Sequence, residues 1–172
     1  MSSRNIEIKA KLPNKDKAIE IAKSISNEDG KLLIHRDVYF GNSSSDEYTK
    51  LRFIKDERVE LINYMRPKQA GPKLSKYDKN DVENGVEMEK KLSESLGIRG
   101  IIEKNRLLFM LDHRTRCHID SVKNFGDFIE FEVILDKDEP IELGEKIARR
   151  YMQSFNISED DLITKSYIDM VV

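Results

Sequence analysis

The sequence is poor in several features that usually announce a function. Its 172 residues include one cysteine, Cys117, so an internal disulfide and a zinc site built from several cysteines are both excluded. Cys117 lies within a strand-like alternation and reads as a small packed residue, not a nucleophile. No stretch approaches the roughly 18 apolar residues that cross a bilayer, and Met1-Ser2-Ser3-Arg4 leads directly into a strand-like segment without the apolar run of a secretory signal. A cytoplasmic chain without membrane contact is the expectation, in which the Asn-x-Ser sequences at Asn42 and Asn156 carry no glycan. Net charge is nearly absent too: 30 Lys+Arg against 32 Asp+Glu leave −2. Any anion site must therefore come from local sorting of charge. No repeat of fixed period occurs. His35-Arg36-Asp37 with Asn42 has the spacing of a kinase catalytic loop, but the chain lacks the Gly-rich loop and the length that would give the match meaning.

What the sequence does have is alternation in units of two. Strands are predicted at roughly 5–12, 33–41, 48–55, 58–66, 101–111, 114–122 and 127–136, with a short last one near 166–171. Ser43-Ser44-Ser45-Asp46 reads as a turn between two of them. Helical spacing is confined to three places: after Asn14, from about Val82 to Leu96, and from about Leu143 to Phe155. Arg66-Pro67-Lys68-Gln69-Ala70-Gly71-Pro72-Lys73 reads as a basic loop able to close over an anion. The length suits one domain spanning 1–172. Many antiparallel strands with a few helices between them give an α+β class, with enough strands to close a β-barrel.

The charges fall on one face of these strands. In Asn5-Ile6-Glu7-Ile8-Lys9-Ala10-Lys11-Leu12 every odd position is polar and every even one apolar. Lys50 and Arg52 share a face, as do Tyr64 and Arg66, Lys104 and Arg106, and Arg116, His118 and Asp120; Glu130 and Glu132 share another. Periodicity does not say whether this face meets solvent or a lumen. Inside a lumen, each close carboxylate pair among Glu7, Asp120, Glu130 and Glu132 costs on the order of 4 kcal/mol at 4 Å and an effective dielectric near 20. Such a cluster needs a cation, and hard oxygen ligands suit Mg²⁺ or Mn²⁺. The basic set Lys9, Lys11, Lys50, Arg52, Arg66, Lys104, Arg106 and Arg116 needs a highly charged anion, for which a polyphosphate fits the guanidinium forks.

These residues carry a resemblance. Asn-Ile-Glu-Ile-Lys at 5–9 resembles the ExExK signature of the CYTH, or triphosphate tunnel metalloenzyme, superfamily. Asp37-Val38-Tyr39-Phe40, Lys50-Leu51-Arg52, Tyr64-Met65-Arg66-Pro67, Gly71-Pro72-Lys73, Lys104-Asn105-Arg106, His118-Ile119-Asp120, Gly126 to Glu132 and Ser166-Tyr167-Ile168-Asp169 follow in the family's order. The arrangement is most similar to the class IV adenylyl-cyclase-like branch. The resemblance implies a closed eight-stranded antiparallel β-barrel with flanking helices. It implies a metal held by Glu7, Glu130 and Glu132, with Asp120 as a further ligand or a group behind one. The implied phosphate wall is the basic set with Lys165 added. One departure stands at Asn5, where the signature has an acid, and it weakens the second metal position.

Three activities follow as expectations. The first is hydrolysis of inorganic tripolyphosphate, thiamine triphosphate or a nucleoside triphosphate, with Lys9 as general base assisted by Tyr39, and Lys165 contributing from the C-terminal segment. The second is cyclisation of ATP to cyclic AMP, and the third is binding without turnover, which Asn5 makes plausible. His118 is expected to hydrogen-bond within the polar interior. Basic residues interleaved with carboxylates argue against a nucleic-acid partner other than an RNA 5′-triphosphate, and a monomer or homodimer is expected.

Overall fold

The computed structural model describes residues 3–41 and 46–171. Its strands are β1 Ser3–Lys11, β2 Lys31–Phe40, β3 Glu47–Ile54, β4 Arg58–Met65, β5 Lys73–Asp81, β6 Ile98–Met110, β7 Thr115–Val122 and β8 Gly126–Leu135. They close into an antiparallel barrel in the order β1-β5-β4-β3-β2-β6-β7-β8, with β8 returning to pair with β1. Helix α1, Lys15–Ser26, follows β1; α2, Gly85–Leu96, follows β5; α3, Ile141–Ser154, follows β8. The Ser43–Ser45 part of the expected turn, and Asn42 of the kinase-like spacing, lie outside the described residues.

The apolar face of most strands points out of the barrel, and the hydrophobic core lies between the wall and the helices. Ile6, Ile8, Phe109, Cys117, Ile119, Ile129, Phe131 and Val133 pack against Ala18 and Ala22 of α1 and Ala148, Tyr151, Met152 and Phe155 of α3. Val38, Phe40 and Leu51 pack under Met88 and Leu92 of α2. Each helix starts where its sequence allows. Asn14 caps α1 by accepting from Lys17 N, and Asn84 caps α2 by accepting from Glu87 N, which moves the start of α2 past the predicted Val82.

One expectation needs correction. The eighth strand is β5, not a segment near 166–171. Residues 166–171 instead hold a 3₁₀ turn at Ile168–Met170. β5 escaped periodicity because neither of its faces is apolar: Lys73, Ser75, Tyr77 and Lys79 turn inward, while Lys76, Asp78 and Asn80 meet solvent.

The C-terminal segment instead stops one end of the barrel. Tyr167 and Ile168 pack with Tyr39, Tyr48, Ile102, Val122 and Phe128, all from the same end of their strands. Asp169 accepts from Tyr48 (2.7 Å) and Ser166 (3.1 Å) and pairs with Arg99, which ties the plug to β3 and β6.

Helix α3 crosses β1 at Gly144, where an added Cβ would lie 2.4 Å from Ile6 Cγ1. Gly144→Ala is expected to destabilise the fold by about 1–3 kcal/mol through overpacking, less the gain of up to ~1 kcal/mol from better helix propensity. Urea denaturation measures the difference; unchanged stability would mean that α3 does not depend on this close approach.

Candidate active site

With the apolar faces turned outward, the alternate residues must turn inward, and these are the ionic ones. They line a cavity of about 370 Å³. Of the predicted residues, Glu7, Lys9, Tyr39, Lys50, Arg52, Arg66, Lys104, Arg106, Arg116, Glu130 and Glu132 line it. Lys11 and Lys165 do not. Both are exposed at the plugged end, where the chain of residues 162–167 passes over β1 through the Ala10–Leu162 bridge and the Ile163 N to Lys9 O hydrogen bond. The other end is open, with exposed Arg58 and Lys79 on its rim.

Two fully buried carboxylates hold the cationic wall in place. Asp37 accepts two hydrogen bonds of 2.8 Å from the fork of Arg52, and Lys104 Nζ (3.3 Å) and Lys50 Nζ (3.6 Å) approach it. Burial alone would raise its pKa, but these cations together hold the carboxyl well below the usual range. Asp120 takes both nitrogens of Arg106 at 2.8 and 2.9 Å, and the Tyr167 hydroxyl at 2.8 Å. Its pKa too is driven far down by Arg106 against the effect of burial. With Arg106 and Tyr167 on its oxygens, Asp120 acts as the group that aims Arg106. Asp37 was not among the predicted site residues; its sequence signal was its place on the inward face of β2, two residues before Tyr39.

The lysines respond in the opposite direction. Burial and the neighbouring Arg52 bring Lys50 down to about 7. Lys9, despite Glu130 at 3.6 Å, falls to about 8 mainly through burial. Tyr39 is pushed up by burial and by Asp37, so it keeps its proton. Its hydroxyl accepts from Lys50 Nζ at 3.4 Å, which suits orientation of Lys50 and not proton abstraction.

Opposite this wall, some polar groups have no hydrogen-bond partner among the described residues. Arg66 lies against Glu7, yet its Nε and Nη2 are buried without an aligned hydrogen bond. Lys73 Nζ and Asn5 Oδ1 are likewise buried and unpartnered. Buried polar groups seldom stay unpaired, so these call for a polar ligand or ordered water. Lys73 falls to about 8 through burial and Arg66. It opens the polar strand that the sequence did not reveal.

The carboxylates converge on one side. Among the described residues, ligand atoms of His118, Glu130 and Glu132 lie within 4.8 Å of one another. His118 Nδ1 is 3.0 Å from Glu130 Oε1, and burial with the charge of Arg106 keeps the imidazole neutral, as a metal ligand must be. Glu7 stands outside this group beside Arg66, and its carboxyl is raised by burial and by Glu130. His118 thus makes the interior hydrogen bond expected of it, and this group, with Glu7 across the strand pair from Glu132, could hold a divalent cation.

Residues 3–167 match the family profile described as the CYTH domain. The chain is 29% identical to a Methanocaldococcus jannaschii protein named "Putative adenylate cyclase MJ0240", over 96% of this chain and 97% of that one. In structure it resembles the PH1012 protein of Pyrococcus horikoshii OT3 (TM-score 0.83, 18% identity, covering 98% and 99%). It also resembles HpAC1 of Hippeastrum (TM-score 0.63, 15% identity, covering 94% and 91%).

A lysine whose pKa is lower folded than unfolded binds fewer protons in the folded state, so stability rises with pH between the two values. For Lys50 the interval runs from about 7 to the ordinary 10.5, and Lys9 and Lys73 share its upper part. The unfolding temperature of the ligand-free protein is therefore expected to rise from about pH 7 to pH 9. A flat or falling profile in calorimetry would contradict the buried, unneutralised lysines.

Proposed function

The chain belongs to the CYTH family, and from that footing we propose that it is a divalent-metal-dependent triphosphatase. It hydrolyses inorganic tripolyphosphate, thiamine triphosphate or a nucleoside triphosphate. The observation that carries this reading is a one-ended lumen in which a fixed cationic wall faces a carboxylate–imidazole group. A linear polyanion can enter such a lumen only through the open rim, so its terminal phosphate goes deepest.

His118, Glu130 and Glu132 would hold Mg²⁺ or Mn²⁺, with Asn5 Oδ1 available nearby as a neutral acceptor. A bound divalent cation supplies Lewis-acid polarisation of the phosphate oxygens. The chain's own residues do the rest. Arg52 and Arg106, aimed by Asp37 and Asp120, bind equatorial phosphate oxygens without having to reorganise. Arg66 and Lys73 complete their unmade hydrogen bonds on the same anion. Lys50, brought down to about 7 in the empty lumen, gains a proton as the phosphate arrives and so adds charge where it is needed. A loose phosphoryl-transfer transition state asks little of a base, so positioning and charge are the main requirements. Lys9 keeps the role of proton acceptor expected from the sequence less readily than Lys50, because Glu130 and the face of Tyr167, 3.7 Å from its Nζ, both favour its ammonium form.

Cyclisation of ATP is the second reading, favoured by the adenylate cyclase name of the archaeal relative. The Hippeastrum structure, described as a putative adenylyl cyclase that reveals a dominant triphosphatase activity, supports the hydrolytic order of preference. A cytoplasmic, single-domain protein acting on a small molecule completes the proposal. No helix among the described residues is long and apolar enough to cross a membrane.

Incubation with each triphosphate and Mg²⁺ or Mn²⁺ is expected to release orthophosphate. Cyclic AMP with pyrophosphate as the main products from ATP would overturn the proposal. Glu130→Gln and Glu132→Gln should each lower metal-dependent turnover by about 100-fold or more, with full turnover in both variants refuting the ligand assignment.

A further inference from the structure

The plugged end of the lumen is finished by the segment that follows α3, not by a strand. Residues 162–167 pass over β1, and Ser166 and Tyr167 line the cavity. Polar bonds fix this segment: Asp169 pairs with Arg99 of β6 and accepts from Tyr48 of β3 and from Ser166 of its own turn. Tyr167 is thereby held at 2% exposure, its ring tilted against Phe128 with 5.2 Å between the ring centres.

A side chain that only filled the end of the barrel would need no hydroxyl, and Phe128 beside it has none. The Tyr167 hydroxyl donates to Asp120 Oδ2 at 2.8 Å. The same oxygen accepts from Arg106 Nη2 at 2.9 Å, while Oδ1 accepts from Arg106 Nε at 2.8 Å. A carboxylate and a guanidinium joined by two parallel bonds can still swing as a unit, because each sits on a rotatable stem. The third bond comes from a different element and from another direction, and it stops that motion. Burial and the charge of Asp120 drive the phenol pKa up, so the hydroxyl stays a donor. The ring also meets two lysines of the wall, with Lys9 Nζ 3.7 Å and Lys104 Nζ 5.0 Å from its centre.

We infer that Tyr167 is a positioning residue for the reaction in the lumen: its hydroxyl, acting through Asp120, holds Arg106 in the orientation that meets the phosphoryl group in the transition state. The C-terminal segment is then part of the active site and not only a plug. The inference rests on the reading of the lumen as a triphosphatase site. Binding of the substrate anion draws on Arg52, Arg66, Lys50 and Lys73 as well, so a small swing of one guanidinium changes it little. Stabilising the charge that develops during transfer depends on donors already in place, so there the same swing is costly.

Steady-state kinetics of Tyr167→Phe in the full chain tests it, with Mg²⁺ or Mn²⁺ and tripolyphosphate, thiamine triphosphate or ATP as substrate. This variant keeps the ring and its packing and removes only the hydroxyl. Its kcat is expected to fall about tenfold or more, with KM changed by less than about threefold. Tyr151→Phe is the control, because it removes a similar bond, 2.6 Å from Tyr151 to Asp112, outside the lumen. It should lower the urea midpoint and leave kcat unchanged. Tyr167→Phe that behaves like this control has a structural role alone, and the inference is then wrong. Action through Arg106 is read from a double-mutant cycle: in an Arg106→Lys background, which has no fork to aim, Tyr167→Phe should cost little further kcat. Asp120→Asn replaces Arg106→Lys in the cycle if that variant does not fold. Fully additive losses would place the effect of the hydroxyl elsewhere and sink the inference. Failure of the underlying reading looks different: the wild type itself then turns over none of the three triphosphates.

Discussion

The rest of the structure depends on the clamps that Asp37 and Asp120 place on Arg52 and Arg106. A barrel with a charged interior has to meet a desolvation cost of several kcal/mol per ion, and it meets it only where geometry is close and lone pairs are filled. These two bidentate pairs do so on the wall formed by β2, β3, β6 and β7. They also leave the outer edges of the guanidinium groups directed into the cavity. One arrangement thus makes the lumen tolerable when empty and preorganised for an anion.

That arrangement dictates where ordinary hydrophobic stabilisation can be found. Because the interior is ionic, the apolar residues must be covered from outside, and α1, α2 and α3 serve this purpose. Close approaches such as Gly144 over Ile6 follow from laying helices on a curved wall. The plugged end is the exception, where aromatic residues turn inward and Tyr167 joins the plug to Asp120, and so to the orientation of Arg106. Among the described residues the lumen is closed at the plugged end and open at the rim that carries Arg58 and Lys79.

The uncompensated part of the lumen is as informative as the clamped part. Among the described residues, Lys73, Arg66 and Asn5 carry buried polar atoms without a hydrogen-bond partner, and Lys50 is driven toward neutrality by burial and by its cationic neighbours. Fixed cations in excess of local carboxylates leave the ligand to supply the balancing charge, which is the electrostatic basis of selectivity for a polyanion.

Much of this was legible from the chain. Alternation separated Glu7 and Lys9 from Ile6 and Ile8, and Lys50 and Arg52 from Leu51, because a strand sends successive side chains to opposite faces whatever surrounds it. β5 was not legible, since periodicity detects a contrast between faces and this strand has a polar face on each side. Lys11 and Lys165 share the composition of the wall but lie at the plugged end, a fact set by where residues 162–169 come to rest, far along the chain from β1. His118 likewise joined Glu130 and Glu132 through pairing between β7 and β8. The sequence by itself determined which side chains share a face, because that depends on local backbone geometry. Only the tertiary structure decided that this face is a lumen, which end is open and which carboxylates meet, because those depend on closure of the barrel between strands distant in the chain.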